Sequence, residues 1–171
     1  MHPQRFYGIV SNNMSNIFER TLVILKPDAL QRNLLGDIIA RFEKKGLKIV
    51  AMKMMALDDV ILTEHYIHHK DKPFFTKLKD FMKQSPCVVL CLEGLESVKV
   101  VRDLCGPTLG RVAPPGTIRG DFSMSIQANI IHSSDSLETA KQEVKRFFKS
   151  DELYEYKKMD TDIVYIEEER K

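Results

Sequence analysis

A chain of 171 residues with 43% hydrophobic content can bury one substantial core, so a single domain is the expected count. The formal net charge of +2 points to neither nucleic acid nor an anionic membrane surface as the main partner. No segment reaches the roughly 18 apolar residues of a bilayer-spanning helix, so none is predicted.

Residues 1–18 read as a flexible extension. The apolar run Phe6 to Val10 is too short for a signal-peptide core, and Met14 offers an alternative start. Thr21 to Leu25 is a buried strand that stops at Lys26-Pro27. Leu34, Leu35, Ile38, Ile39 and Phe42 form a helical stripe closed by Gly46. A second strand runs Leu47 to Met55, followed by short helices over Val60 to His69 and Pro73 to Met82. The third strand begins at Cys87. Cys87 and Cys91 share one of its sides, without metal-ligand spacing, which favours buried free thiols and a reducing compartment. A helix follows with Val98, Val101, Leu104 and Cys105 on one stripe. Half of the eight glycines then fall between Gly106 and Gly120, the mark of a loop with a function. Phe122 to Ile131 reads as a fourth strand and Leu137 to Phe148 as a long last helix. This order predicts an α/β sandwich with helices covering one sheet.

Several polar residues interrupt apolar patterns. Glu143 falls three after Ala140 and four before Phe147, on the inward stripe of the last helix, where spacing alone favours a carboxylate at the stripe's edge leaning out to water. Arg102 repeats the anomaly between Val98 and Cys105, where a long stem could also cover the core. Lys26 closes a buried strand, and His132 closes another. With Arg119 and Thr108 in the glycine-rich stretch, these groups suggest one basic concave site holding a single acid. Guanidinium forks match phosphate oxygens and so suit a polyphosphate, while a lone basic loop is more often a solvated surface. There is no Walker A loop and no G-x-G-x-x-G segment.

Lys26-Pro27-Asp28, His65-Tyr66, Pro73-Phe74-Phe75, the run Pro115 to Phe122 and Asn129-Ile130-Ile131-His132-x-Ser134-Asp135-Ser136 closely resemble the nucleoside diphosphate kinases. The resemblance runs collinearly from about Glu19 to Tyr156. It implies a domain over 19–157 and a polar C-terminal tail over 158–171. The implied fold is a ferredoxin-like βαββαβ core with additional helices on a four-stranded antiparallel sheet. The implied activity is ping-pong exchange of the γ-phosphoryl group between nucleoside triphosphates, mainly ATP, and diphosphates, which maintains NTP and dNTP pools.

By the same resemblance His132 is the nucleophile, Glu143 bonds its other ring nitrogen, and Ser134 holds Glu143. Arg102, Thr108 and Arg119 bind the phosphates and Tyr66 lies beside the transferred group. Lys26 and Asn129 reach the ribose hydroxyls, Lys26 also phosphate. Phe74 stacks on the base, with Leu78 and Ile126 around it. Stacking with little hydrogen bonding implies low base selectivity. Mg²⁺ is the implied cofactor, held mostly by the nucleotide phosphates, with Asp135 as its protein ligand through water. Asp135 fits equally as the N-cap of the last helix, with Glu138 completing a capping box. A homo-oligomer in the cytoplasm is implied, a hexamer ahead of a tetramer or dimer.

The chain departs from the family pattern at Ala29 and Ser133, where glycine or another small residue is usual, and both positions remain small. The loop Gly106 to Ala113 differs more, with Gly110 where proline is common. A nucleotide-binding or interaction module without catalysis is the rival reading. It is disfavoured because the nucleophile and its phosphate clamps are all present, and no aromatic-interleaved basic stripe accompanies them.

Overall fold

Every side chain from Thr21 to Leu25 is buried, which demands a strand covered on both faces. The computed structural model of the protein describes residues 18–170 and meets that demand. The elements in order are β1 (Phe18–Leu25), α1 (Pro27–Gln31), α2 (Leu35–Lys44), β2 (Lys48–Met55), α3 (Asp59–His65) and α4 (Phe75–Met82). They continue with β3 (Cys87–Leu95), α5 (Ser97–Cys105), α6 (Ile118–Phe122), β4 (Ile131–Ser133), α7 (Leu137–Phe147) and α8 (Thr161–Val164). The sheet order is β2-β3-β1-β4, and every neighbouring pair is antiparallel. β1 and β2 are therefore parallel with β3 between them, and β3 and β4 are parallel with β1 between them. Two interleaved βαβ units of this kind make the expected ferredoxin-like core.

Alternation along the strands divides the core in two. Leu22, Ile24, Cys87 and Val89 face Leu62 of α3, Met82 of α4 and Phe147 of α7. Val23, Leu25, Val88 and Leu90 face Ile38 and Phe42 of α2, Val101 of α5 and Ile118 of α6. The additional helices α3, α4 and α7 thus cover the second face of the sheet. All three cysteines are buried and unpaired. Burial pushes the Cys87 and Cys91 thiols up to about 12, which keeps them neutral and inert.

The helix stripe of α2 ends as its glycine predicts. Gly46 has φ +96°, and its N–H donates to the Glu43 carbonyl at 2.9 Å. A β-carbon there would meet Val164 Cγ1 at 2.5 Å, because α8 folds back over this corner. Tyr165 stands edge-on to Phe18 with ring centroids 5.4 Å apart. The described part of the tail thus carries an apolar contact to the start of β1. The extension expected over residues 1–18 lies outside the described residues, except that Phe18 already belongs to β1.

Three expectations need correction. The strand expected over Phe122 to Ile131 shrinks to Ile131–Ser133. Its alternating residues form a loop instead, because Ser123 and Ser125 turn their hydroxyls onto local backbone. Ser125 Oγ accepts from Gln127 N and Ala128 N at 3.2 Å each, and such bonds compete with a ladder. The helix expected over Val60 to His69 ends at His65 and continues as a single 3₁₀ turn, Ile67–His69. The cap of α7 is Ser136 rather than Asp135, its hydroxyl accepting from Thr139 N at 3.1 Å.

Candidate active site

His132 is the middle residue of β4, paired with Ile24 of the central strand, so its backbone is set by the sheet. Its Nε2 lies 3.0 Å from Glu143 Oε1 on α7. A carboxylate only accepts, so Nε2 carries the proton and Nδ1 keeps its lone pair. Glu143 does not lean out to water: it is 3% exposed. The burial is tolerated because both carboxylate oxygens are engaged. Ser134 Oγ donates to Oε2 at 2.6 Å, and Ser134 is itself fixed by accepting from Leu22 N at 3.1 Å. A second imidazole, His65, stands edge-on to His132 with centroids 4.5 Å apart, its Nδ1 3.6 Å from the same Oε1. Burial holds the pKa of His65 well below the usual histidine range, so it stays neutral.

Asn129 and His132 are three residues apart, and a regular strand would turn them to opposite faces. The chain solves this at Ile130, which has φ +73° while Ile131 N donates to the Asn129 carbonyl at 2.8 Å. Such a tight i to i+2 turn reverses one peptide before β4 begins. Asn129 is thereby aimed at Lys26, whose Nζ donates to its Oδ1 at 2.6 Å. The Asn129 amide nitrogen donates to the carbonyls of Thr108 at 3.0 Å and Ile126 at 2.9 Å. Lys26 is buried, and desolvation, then the neighbouring charge of Arg119, lowers its pKa to about 8.

Arg119 sits in the first turn of α6 rather than in an open loop, and it is buried. Its guanidinium donates to the carbonyls of Gly106 and, at 2.6 Å, of Ile131. Its Nε is buried without a partner. Gly120 beside it has no room for a side chain, since a β-carbon would come 2.0 Å from the Pro114 carbonyl oxygen. Arg102 reaches the carbonyls of Ser133 and Ser134 at 3.5 and 3.4 Å, bringing a second guanidinium to the end of β4. Tyr66 lies 6.1 Å from the His132 ring and its hydroxyl is buried with no partner. Burial pushes that phenol up, so it is a neutral donor.

Phe74 and Ile126 are exposed and Leu78 is half-buried, so these three form a rim rather than a closed pocket. Gln127 Nε2 donates to the Lys77 carbonyl at 3.1 Å and ties the loop of Ile126 to α4. Asp135 is exposed in an open groove with Arg102 and Leu137. The Thr139 hydroxyl and the Arg102 charge hold its carboxyl below the usual range. Among the described residues, the one grouping of three side chains with metal-ligand atoms close together is His65, His132 and Glu143, within 4.8 Å. Two imidazoles and one carboxylate, its Oε1 already bonded to His132, do not suit a hard cation such as Mg²⁺. Asp135 offers oxygen and solvent access.

All of the polar candidates except Asp135 thus gather around residues 129–134. Two residues at the site escaped assignment from sequence: His65, and Asp28, whose Oδ2 accepts from Ile130 N at 2.9 Å. Both stand inside the segments Lys26-Pro27-Asp28 and His65-Tyr66, which was the available signal.

An imidazole bonded to a buried carboxylate, with two arginines and a lysine gathered around its strand, forms a basic histidine site on a ferredoxin-like sheet. The sequence model of the nucleoside diphosphate kinases matches residues 19–153. The chain is 59% identical over 138 residues to the nucleoside diphosphate kinase of Parabacteroides distasonis, covering 81% of this chain and 90% of that one. It is 53% identical over 141 residues to that of Pyrococcus horikoshii, covering 81% and 90%. A halophilic nucleoside diphosphate kinase of Halobacterium salinarum in complex with CDP superposes with a TM-score of 0.84 at 42% identity, over 86% of this chain and 98% of that one. The Borrelia burgdorferi enzyme, a transition-state mimic with vanadate and ADP, gives 0.81 at 38% identity, over 87% and 98%. The chain belongs to the nucleoside diphosphate kinase family and is an enzyme of that kind.

Proposed function

We propose that this enzyme moves the γ-phosphoryl group of a nucleoside triphosphate, mainly ATP, to nucleoside diphosphates in two half-reactions through His132, maintaining NTP and dNTP pools. The observation that carries this reading is the 3.0 Å contact between His132 Nε2 and Glu143 Oε1, which sets the tautomer. Nε2–H is bonded to buried Glu143 and Nδ1 makes no bond to any described residue, so its lone pair is free to attack. Nδ1 attacks the γ-phosphorus, the bond from γ-phosphorus to the bridging oxygen breaks, and the diphosphate leaves. The imidazole, now bonded to phosphorus, carries positive charge that the Glu143 carboxylate offsets. A phosphate oxygen of the second diphosphate then attacks the phosphohistidine, and the N–P bond breaks.

The transition state is loose and highly charged, so fixed cations supply most of the stabilisation. Arg102, Arg119 and Thr108 would hold the phosphates, and Tyr66 would donate its unpartnered hydroxyl beside the transferred group. Lys26 and Asn129 would take the ribose hydroxyls, while Phe74, Leu78 and Ile126 grip the base by stacking and packing. Mg²⁺ would neutralise phosphate charge, held by the nucleotide itself and by Asp135 through water. A reducing cytoplasm fits the three free thiols. Exposed Met52 and Met54 on the edge strand β2 support self-association, with a hexamer ahead of smaller assemblies.

Incubation with γ-labelled ATP and Mg²⁺ should place acid-labile label on the protein, and added GDP should discharge it. An unlabelled protein, or label that GDP leaves in place, would overturn the two-step route.

The Lys26 environment adds a pH signature. Its pKa near 8 in the free enzyme means the ammonium is lost as pH rises through about 8. A plot of kcat/KM against pH, which reports the free enzyme, should therefore fall on that alkaline limb. Bound phosphates favour the charged form, so kcat at saturating nucleotide should hold to higher pH. Lys26→Arg keeps its charge throughout and should erase the limb, whatever it costs in rate. An unchanged limb in that variant would assign the titration to another group.

A further inference from the structure

The geometry points to Asp28 as a positioning residue for this reaction, one that fixes the nucleotide-side groups Asn129 and Lys26 relative to His132 by holding a strained turn at Ile130. The inference rests on the phosphoryl-transfer reading above. Ile130 is a β-branched, fully buried residue at φ +73°, a region such side chains avoid. A conformation of that kind is strained and persists only where the surroundings over-determine it. Here both polar groups of the Ile130 residue are taken by one segment. Its N–H donates to Asp28 Oδ2 at 2.9 Å, and its carbonyl accepts from Lys26 N at 2.8 Å. The peptide on one side of the turn carries Asn129, and the same short segment carries Lys26, whose Nζ closes the loop on Asn129 Oδ1 at 2.6 Å.

His132 is held differently. Its backbone is paired with Ile24 and its ring is bonded to Glu143, neither of which passes through Asp28. Without the Asp28 carboxylate, the Ile130 N–H becomes a buried donor lacking a partner, a loss comparable to the strain the turn must overcome. The reversed peptide then has no advantage over regular strand, which would carry Asn129 to the opposite face of the sheet. The nucleophile and the two arginines survive this; the contacts that Asn129 and Lys26 make with the nucleotide do not.

The separation gives the test. Wild-type enzyme and Asp28→Ala are labelled in parallel with γ-labelled ATP and with labelled phosphoramidate, a small donor without nucleoside. In the second reaction His132 Nδ1 bonds to phosphorus, the P–N bond of the donor breaks, and ammonia leaves. The expected result is a fall in kcat/KM for ATP on the order of 100-fold, mostly in KM, the scale of a misplacement of about 1 Å. Labelling by phosphoramidate should keep its rate. Asp28→Asn, which retains an acceptor oxygen at the same place, should recover most of the ATP reaction. Asp28→Glu keeps the charge but displaces the oxygen, so it should share the selective loss, and it decides the matter should Asp28→Ala fail to fold. Equal losses with both donors, no loss, or an Asn variant as impaired as Ala would each overturn the assignment. Wild-type enzyme that labels with phosphoramidate but not with ATP would instead sink the nucleotide reading itself.

Discussion

His132→Ala is expected to take no label from γ-labelled ATP and to lose turnover by on the order of 10⁴–10⁶-fold, the scale on which removal of a covalent nucleophile acts. Of the two imidazoles beside Glu143, His132 is the one open to solvent, with its side chain 20% exposed. His65 is the nearest alternative, with ring centroids 4.5 Å apart, but its side chain is 0% exposed. No phosphorus can reach it without unfolding of the α3 end. Stability changes little by comparison. Glu143 Oε1 loses its 3.0 Å partner while Oε2 keeps Ser134, a cost of about 1–3 kcal/mol for a buried acceptor left short. Urea unfolding should register that shift as a lower midpoint with an unchanged slope. Label that persists in the folded variant would place the nucleophile elsewhere and undo the catalytic order argued above.

How far this arrangement was legible in the sequence depends on which interaction fixes each part. Strands β1 and β3 were readable because Thr21–Leu25 and Cys87–Leu92 are continuous apolar runs, buried on both faces whatever the tertiary detail. β4 was misread in extent because Phe122, Met124 and Ile126 alternate with polar residues as a strand would. What decides against the ladder is local: the Ser123 and Ser125 hydroxyls bond the backbone within a few residues. The bend near Ile130 could be inferred from the requirement that Asn129 and His132 share a site, a parity argument that needs no coordinates. That Asp28 holds the bend could not, since its bond to Ile130 N spans 102 residues. Glu143 was ambiguous on the α7 stripe for the same reason. Only Ser134 Oγ and His132 Nε2, brought in by β4, make its burial affordable. Sequence periodicity locates the face; partners distant along the chain decide whether a charge can stay on it.

The second large effect follows from that burial. In Glu143→Gln the amide oxygen can still accept from His132 Nε2–H, so the tautomer survives while the negative charge is lost. The phosphorylated imidazole then carries its positive charge beside a neutral partner in a site where Glu143 is 3% exposed and electrostatic support is strong. A fall in kcat of on the order of 10²–10³-fold is expected, the range measured when one preorganised electrostatic partner is removed. KM for nucleotide should barely move, because the Glu143 bonds run to His132 and Ser134 and none runs to the phosphate-side residues. Ser134→Ala should cost less, roughly 10-fold, since it removes a single bond to a charged acceptor worth about 1.5 kcal/mol. The two substitutions act through one imidazole, so the double variant should lose less than the product of the single losses. A Glu143→Gln enzyme with unaltered kcat would mean that Glu143 serves packing and orientation alone. The charge on the phosphohistidine would then have to be met on the nucleotide side, where Arg102, Arg119 and Lys26 are themselves cations and Asp135 lies in an open groove.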